Sequence, residues 1–92
     1  MKKNVLIDKQ VKDFIQMLSP EPKKMLRRGL KGLENEEGNI IPMRNESEGF
    51  YRLRVNNFRV IFSRPDSSTI RCEYVEHRKV VYYNWTRLIL ER

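Results

Sequence analysis

Three arginines, Arg52, Arg54 and Arg59, are the residues best placed to bind an anion. They lie in two short runs rich in aromatic and β-branched residues, within residues 50–62. Only an Asn-Asn pair separates the runs, and asparagine tolerates the positive φ that a tight hairpin turn requires. A two-residue turn places Arg54 opposite Arg59 and all three guanidinium groups on one face of the hairpin. Because opposed like charges cost stability, the patch predicts an external anion bound through paired donors.

The overall charge points the same way. The chain has 92 residues, of which 39% are hydrophobic, and this suits one small domain with a single core. Its 19 Lys and Arg outnumber 12 Asp and Glu, for a net charge of +7. Such a balance favours RNA, DNA or an acidic polypeptide as partner, although a basic surface without a ligand is the alternative.

Cys72 is the only cysteine, which excludes a disulfide framework and a cysteine-based metal site. Its neighbours are apolar at alternate positions, so we expect it to be a small buried core residue. No apolar run approaches the roughly 18 residues of a membrane span, and no secretory leader is evident. We expect a cytoplasmic protein without a metal or cofactor.

The first third of the chain predicts one strand and two helices. Residues 4–7 alternate like a short strand, Asp8 can cap the helix after it, and Ser19 can cap a second helix. Each helix has apolar residues at the spacing of one helical face. These are Val11, Phe14, Ile15 and Leu18 in the first helix, and Met25, Leu26, Leu30 and Leu33 in the second.

The second helix is strongly basic on its remaining surface. The residues concerned are Lys23, Lys24, Arg27, Arg28 and Lys31. One interpretation is an ordinary solvated face. The other is a surface that follows RNA phosphates and adds affinity without sequence preference.

The rest of the chain predicts mainly antiparallel strands. Residues 34–49 are polar and acidic, which indicates a long loop before the hairpin. A turn then leads to a strand at residues 69–75, in which Cys72 and Tyr74 alternate on one face. The tail, residues 86–92, suits a short helix or a further strand. The predicted fold class is α+β: a single domain with an N-terminal strand and two helices packed on a predominantly antiparallel sheet.

The order of these elements carries a family resemblance. The block GFYRLRV is followed by FRVIF and then by HRK shortly before a tyrosine. This combination resembles the RelE/ParE superfamily of bacterial toxins, the toxic halves of toxin–antitoxin pairs, over essentially the whole chain. The resemblance implies a RelE-like fold, a cognate antitoxin as partner, and an activity that cuts mRNA in the ribosomal A site.

Cleavage in RelE-type members proceeds by attack of the ribose 2′-hydroxyl on the adjacent phosphate. It leaves a cyclic phosphate and a free 5′-hydroxyl. Charge builds on the phosphoryl oxygens, so cations must be held at fixed positions. One group must take the 2′-hydroxyl proton, and another must give a proton to the leaving oxygen.

The resemblance assigns residues to phosphate binding and proton donation but leaves the general base open. Arg52, Arg54 and Arg59 align with basic positions on the sheet face of RelE-type members, and they meet the phosphate requirement. Arg78 aligns with the basic residue near the end of the sheet, which implies that it donates the proton. Tyr82 aligns with a tyrosine that can stack on a base or ribose.

The general base is the open question. RelE has lysines where this chain has Arg52 and Arg54, and arginine keeps its proton in proteins. His77 is the only histidine and the candidate for this role, because relatives use a histidine in this region and nearby arginines would favour its neutral form. The alternative is a structural or merely exposed histidine.

Two other functions compete with the nuclease. One is a ParE-like inhibitor of DNA gyrase, and the other is a catalytically inactive module of the same fold that binds RNA or an antitoxin. Arg52, Arg59, Arg78 and Tyr82 occur together, and this favours the nuclease. Trp85 and the tail either pack on the domain or lie in a groove that an antitoxin occupies.

Overall fold

The computed structural model describes residues 2–91 and contains, within that range, one five-stranded sheet and three α-helices. The strands are β1 (Asn4–Ile7), β2 (Asn39–Pro42), β3 (Phe50–Val55), β4 (Phe58–Asp66) and β5 (Thr69–His77), and the helices are α1 (Lys9–Gln16), α2 (Pro20–Gly32) and α3 (Val81–Leu90). The strand order is β1-β5-β4-β3-β2. Strand β1 runs parallel to β5 and every other pair is antiparallel, so the predicted α+β class is confirmed.

The central hairpin has the predicted register. Val55 pairs with Phe58, and Arg54 pairs with Arg59. Asn56 has a φ of 55°, the left-handed conformation that a two-residue turn needs and that asparagine tolerates. The hairpin therefore sends Arg52, Arg54 and Arg59 to one face of the sheet.

The larger core lies between the sheet and helices α1 and α2. Its buried members are Val11, Ile15, Leu26, Leu30 and Leu33 from the helical segments, and Leu53, Val60, Phe62, Ile70, Cys72 and Val75 from the strands. Helix α2 approaches β3 closely at Gly29, where an added Cβ would lie 2.6 Å from Cγ2 of Val55. The glycine weakens the isolated helix but permits this packing.

A smaller core covers part of the opposite face. Ile61, Val81 and Trp85 are buried there. The Trp85 indole lies edge-on against Phe50 at 5.0 Å between ring centroids and donates a hydrogen bond to Oγ of Ser47 at 3.0 Å. Trp85 thus packs on the domain and anchors α3.

Residues 34–49 are not the long loop that the sequence predicts. Strand β2 lies within them, and Ile40 pairs with Leu53 of β3. The chain enters β2 through Gly38, whose φ of 122° is the conformation that glycine adopts readily. Cross-strand pairing with β3 therefore forms a strand in a segment whose composition suggested none.

The predicted alternation along β5 is wrong beyond Cys72. Phe62 pairs with Cys72 but Ile61 pairs with Tyr74, so one additional residue, Glu73, bulges from the ladder. As a result Val75 joins Cys72 in the larger core, while Tyr74 packs against the smaller one.

The predicted tail is helical through Leu90, so of the two predicted alternatives the helix is confirmed. Helix α3 begins at Val81, earlier than the predicted tail, and Arg92 lies outside the described residues. Within residues 2–91 no helix has the length and apolar character needed to cross a membrane.

Candidate functional site

The three arginines share one end of the sheet face that α3 partly covers. Arg52, Arg54 and Arg59, here called the arginine cluster, line a small cavity of about 90 Å³ together with Asn39 and Ile41 of β2. Strand β2, which the sequence did not predict, forms one wall of this cavity. A concave surface lined by guanidinium groups is suited to binding phosphate.

Arg59 is the fixed member of the cluster. Its side chain is buried, and Nη1 donates hydrogen bonds to the backbone oxygens of Asn56 at 2.9 Å and Phe58 at 2.8 Å. Its cross-strand neighbour Arg54 is exposed. The hairpin turn therefore holds one positive charge in place, while a second remains accessible to a ligand.

Arg52 is positioned by helix α3. Its Nη1 donates a hydrogen bond to the Tyr82 hydroxyl at 2.7 Å, and its guanidinium carbon lies 5.7 Å from the centroid of the same ring. Tyr82 is in the first turn of α3 and is half-buried. The tyrosine predicted to contact RNA thus lies beside the arginine cluster and restricts Arg52 to one orientation.

Glu76 is a member of this face that sequence reasoning missed. It pairs with Arg59 across β4 and β5, and its Oε2 accepts hydrogen bonds from the Tyr74 hydroxyl and from Nδ2 of Asn84, the latter at 2.7 Å. Burial, and then the Glu76 carboxylate, raise the pKa of Tyr74 above its usual value. Simple alternation from Cys72 would place Glu76 on the face of the larger core, and only the bulge at Glu73 brings it to the face that carries the arginine cluster.

The structure does not bring His77 to the cluster. Its ring lies edge-on to Phe58 at 6.3 Å between centroids, and Phe58 packs on the larger core at the opposite face. The Nδ1 atom accepts a hydrogen bond from the backbone N–H of Lys79 at 3.2 Å. A neutral imidazole that accepts through Nδ1 carries its proton on Nε2, which leaves no free lone pair for a substrate proton.

Arg78 follows β5 at the hairpin end of the sheet. Its backbone N–H donates to the carbonyl oxygen of Asn57 at 2.8 Å, and its side chain is exposed. Asn57 is the neighbour of Asn56, whose carbonyl holds Arg59. The turn therefore links the segment that carries Arg78 to the segment that fixes Arg59.

The five basic residues of α2 lie on the other side of the sheet. The larger core lies between the sheet and the helix that carries Lys23, Lys24, Arg27, Arg28 and Lys31, but Arg28 and Arg54 of the arginine cluster line one cavity of about 360 Å³. Arg27 and Lys31 line a cavity of about 450 Å³ between β1, α1 and α2. Lys31 also forms an ion pair with Glu34 at 3.8 Å. The molecule thus has basic residues on both sides of the sheet.

Cys72 is fully buried in the larger core, as expected from the sequence. Burial raises the pKa of its thiol to about 12, so it is protonated at neutral pH and is not a nucleophile there. Among residues 2–91, no group of three or more His, Cys, Asp or Glu side chains is arranged to hold a metal ion.

Comparison with known proteins yields solved structures but no sequence family. No protein-family model and no curated protein matches the sequence. A chain of the RelBE2 toxin–antitoxin complex from Mycobacterium tuberculosis superposes with a TM-score of 0.75 at 21% identity, covering 85% of this chain and 100% of that chain.

Two archaeal structures are also similar. A chain of the RelE–RelB complex from Pyrococcus horikoshii has a TM-score of 0.68 and 25% identity, over 85% of this chain and 97% of that chain. A chain of the RelB–RelE antitoxin–toxin complex from Methanococcus jannaschii has a TM-score of 0.67 and 20% identity, over 87% and 96%.

The shared architecture defines a class of small α+β domains in which a predominantly antiparallel sheet carries two helices on one face. Within that class, the chain has the RelE-like toxin fold, which confirms the resemblance seen in its sequence.

Proposed function

We propose that this chain is the toxin of a toxin–antitoxin pair and that it cleaves mRNA in the ribosomal A site. The observation that carries the proposal is the arginine cluster, in which Arg59 is fixed by backbone carbonyls and Arg52 by Tyr82. Preorganised cations stabilise the charge that develops on a phosphoryl group during transfer. Solved toxin–antitoxin complexes of the same fold support the toxin assignment.

The three arginines have different roles in binding the scissile phosphate. Arg54 is exposed and forms the first contact with the incoming phosphate. Arg59 and Arg52 then contact the phosphoryl oxygens with little loss of side-chain freedom, because both are already restrained. Tyr82 lies beside Arg52 and can stack on the neighbouring base or ribose.

Arg78 is the proposed proton donor to the leaving 5′-oxygen. It lies at the open end of the sheet, next to the hairpin turn. The base role predicted for His77 stays a prediction, and its position on the other face leads us to expect that His77→Ala retains cleavage. The basic face of α2 would contact ribosomal RNA phosphates while the arginine cluster holds the mRNA. An antitoxin would neutralise the protein by covering basic surface.

Primer extension on a defined mRNA in a reconstituted translation system tests the proposal. Wild type should produce new 5′ ends at A-site codons, and only when ribosomes are present. Arg54→Ala and Arg78→Ala should abolish these ends. Lys9→Ala, which removes an exposed positive charge from α1 away from the site, is the matched control and should cleave like wild type.

Intact mRNA with continuing translation would overturn the nuclease. A supercoiling assay with DNA gyrase would then identify a ParE-like inhibitor. RNA binding that weakens with salt, without cleavage on ribosomes, would instead identify an inactive binding module of the same fold.

A further inference from the structure

We propose that Glu76 is the general base that takes the proton from the 2′-hydroxyl. This inference rests on the proposed nuclease function, and it supplies the one role that the arginines cannot fill. The guanidinium groups of Arg52, Arg54 and Arg59 are fully protonated and have no lone pair with which to take a proton, and His77 lies on the opposite face with Nδ1 engaged.

Glu76 is close to the proposed phosphate position. It pairs with Arg59 across two antiparallel strands, so the two side chains leave the same face. Directly opposed residues of such a pair have Cβ atoms about 4.5–5.5 Å apart. A phosphate held by Arg59 therefore places its ribose within reach of this carboxylate.

The carboxylate is also held in position. Tyr74 on the same strand and Asn84 on α3 both donate to Oε2, and within residues 2–91 these are its hydrogen bonds. Oε1 keeps its lone pairs for a further donor. Glu76 is only half-buried, so a ribose hydroxyl can approach it from solvent. A base oriented in this way needs little reorganisation when the substrate binds.

The step balances with these groups. Oε1 of Glu76 takes the 2′-hydroxyl proton as the 2′-oxygen forms a bond to phosphorus. The bond from phosphorus to the 5′-oxygen breaks, and that oxygen takes a proton from Arg78. The products are a 2′,3′-cyclic phosphate and a free 5′-hydroxyl. Solvent then returns a proton to Arg78 and removes one from Glu76.

Single-turnover cleavage on programmed ribosomes tests the assignment. Glu76→Gln keeps the size of the side chain and its acceptor oxygen but cannot take a proton, and loss of a general base reduces rates by about 10²–10⁴-fold. Affinity for ribosome-bound mRNA should remain that of wild type. Glu37→Gln, the same change at an exposed position, is the control and should cleave normally.

A substrate with sulfur in place of the scissile 5′-oxygen separates the base from the acid, because a thiolate leaves without protonation. This substrate should restore cleavage by Arg78→Ala and leave Glu76→Gln slow. Restoration of Glu76→Gln by the sulfur substrate would overturn the base assignment. So would cleavage of the natural substrate by Glu76→Gln at the wild-type rate.

Two further observations keep the test decisive. If Glu76→Gln does not fold by circular dichroism, Asn84→Ala serves instead, because it retains the carboxylate and removes one of the bonds that orient it. It should cleave more slowly than wild type with unchanged mRNA affinity, and a wild-type rate would count against the proposal. Absence of cleavage by wild type itself would instead refute the nuclease function.

Discussion

Strands β3 and β4 present different side chains to their two faces. Toward α1 and α2 they place Leu53, Val60 and Phe62, each at most 1% exposed. Toward the other face the same strands place Arg52, Arg54 and Arg59, with α3 covering only part of the surface. Hydrophobic burial stabilises the first face, whereas the second arranges positive charge around a cavity.

The comparison shows how a small sheet can supply both stability and a site. Adjacent residues along one strand point in opposite directions, so one residue can be selected for packing and the next for binding. Substitutions on the helix-covered face should therefore change the free energy of unfolding. Substitutions at exposed positions of the opposite face, which carries the arginine cluster and is here called the arginine face, should change RNA cleavage while the fold persists.

The largest expected effect is on the helix-covered face. Leu26 is fully buried there, so Leu26→Ala should lower the free energy of unfolding by about 2–5 kcal/mol through lost burial and a residual cavity. Urea unfolding followed by circular dichroism measures it. Lys24→Ala, an exposed change in the same helix, should alter stability by less than about 0.5 kcal/mol. Equal effects of the two substitutions would contradict the assignment of this face.

Within the arginine face, the two opposed residues should behave differently. Arg59→Ala removes hydrogen bonds from a charged donor to two carbonyls, so the free energy of unfolding should fall by about 1.5–3 kcal/mol. The same variant should also lose cleavage. Arg54→Ala should abolish cleavage with a stability change below about 0.5 kcal/mol. Urea titrations and cleavage assays on both variants separate the roles. A stable Arg59→Ala would refute its structural part.

Cys72 allows the helix-covered face to be tested by pH. Its thiol pKa is raised from 9.0 to about 12 in the folded state. A thiol pKa that folding raises stabilises the folded state, and this stabilisation is complete below the pKa of the unfolded chain, about 9. It is lost as the pH rises from about 9 to about 12. Wild type should lose about 1.4 kcal/mol more stability than Cys72→Ala between pH 8 and pH 10. Urea midpoints at both pH values test this, and parallel losses would disprove it.

The smallest effect concerns the anchor of α3. Ser47→Ala removes the hydrogen bond that the Trp85 indole donates, so stability should fall by about 0.5–1.5 kcal/mol. Thermal unfolding measures the loss, and tryptophan fluorescence should report the changed environment. Ser67→Ala, in the exposed turn between β4 and β5, is a suitable control and should change the fluorescence little. An unchanged spectrum for Ser47→Ala would show that the bond does not hold the helix.

Alternation predicted the hairpin site but missed strand β2. The two runs around the Asn-Asn turn carry strong β-forming residues, so local patterning was enough to place Arg54 opposite Arg59. Strand β2 spans four residues, Asn39–Pro42, and ends in a proline. It forms because β3 offers an edge, and that pairing partner is not visible in the local sequence.

The bulge at Glu73 explains most of the remaining error. The bulge reverses the faces of all later β5 residues relative to simple alternation. Alternation therefore places Tyr74 on the face of Cys72, whereas the structure packs it against the smaller core. A strand that ends at Val75, as the pattern predicts, leaves Glu76 in a connection, whereas β5 continues to His77. His77 is the candidate base in the sequence because it is the only histidine, and that role stays a prediction.

The parallel pairing of β1 with β5 has a consequence for synthesis. Asn4 of β1 pairs with Thr69 of β5, so this edge of the sheet cannot form until β5, far along the chain from β1, has been made. Long-range pairing of this kind delays folding, and an isolated hairpin is only marginally stable in water. A nascent chain that ends before β5 and α3 therefore has neither a closed core nor an assembled site, and the protein can act only after both elements have been made.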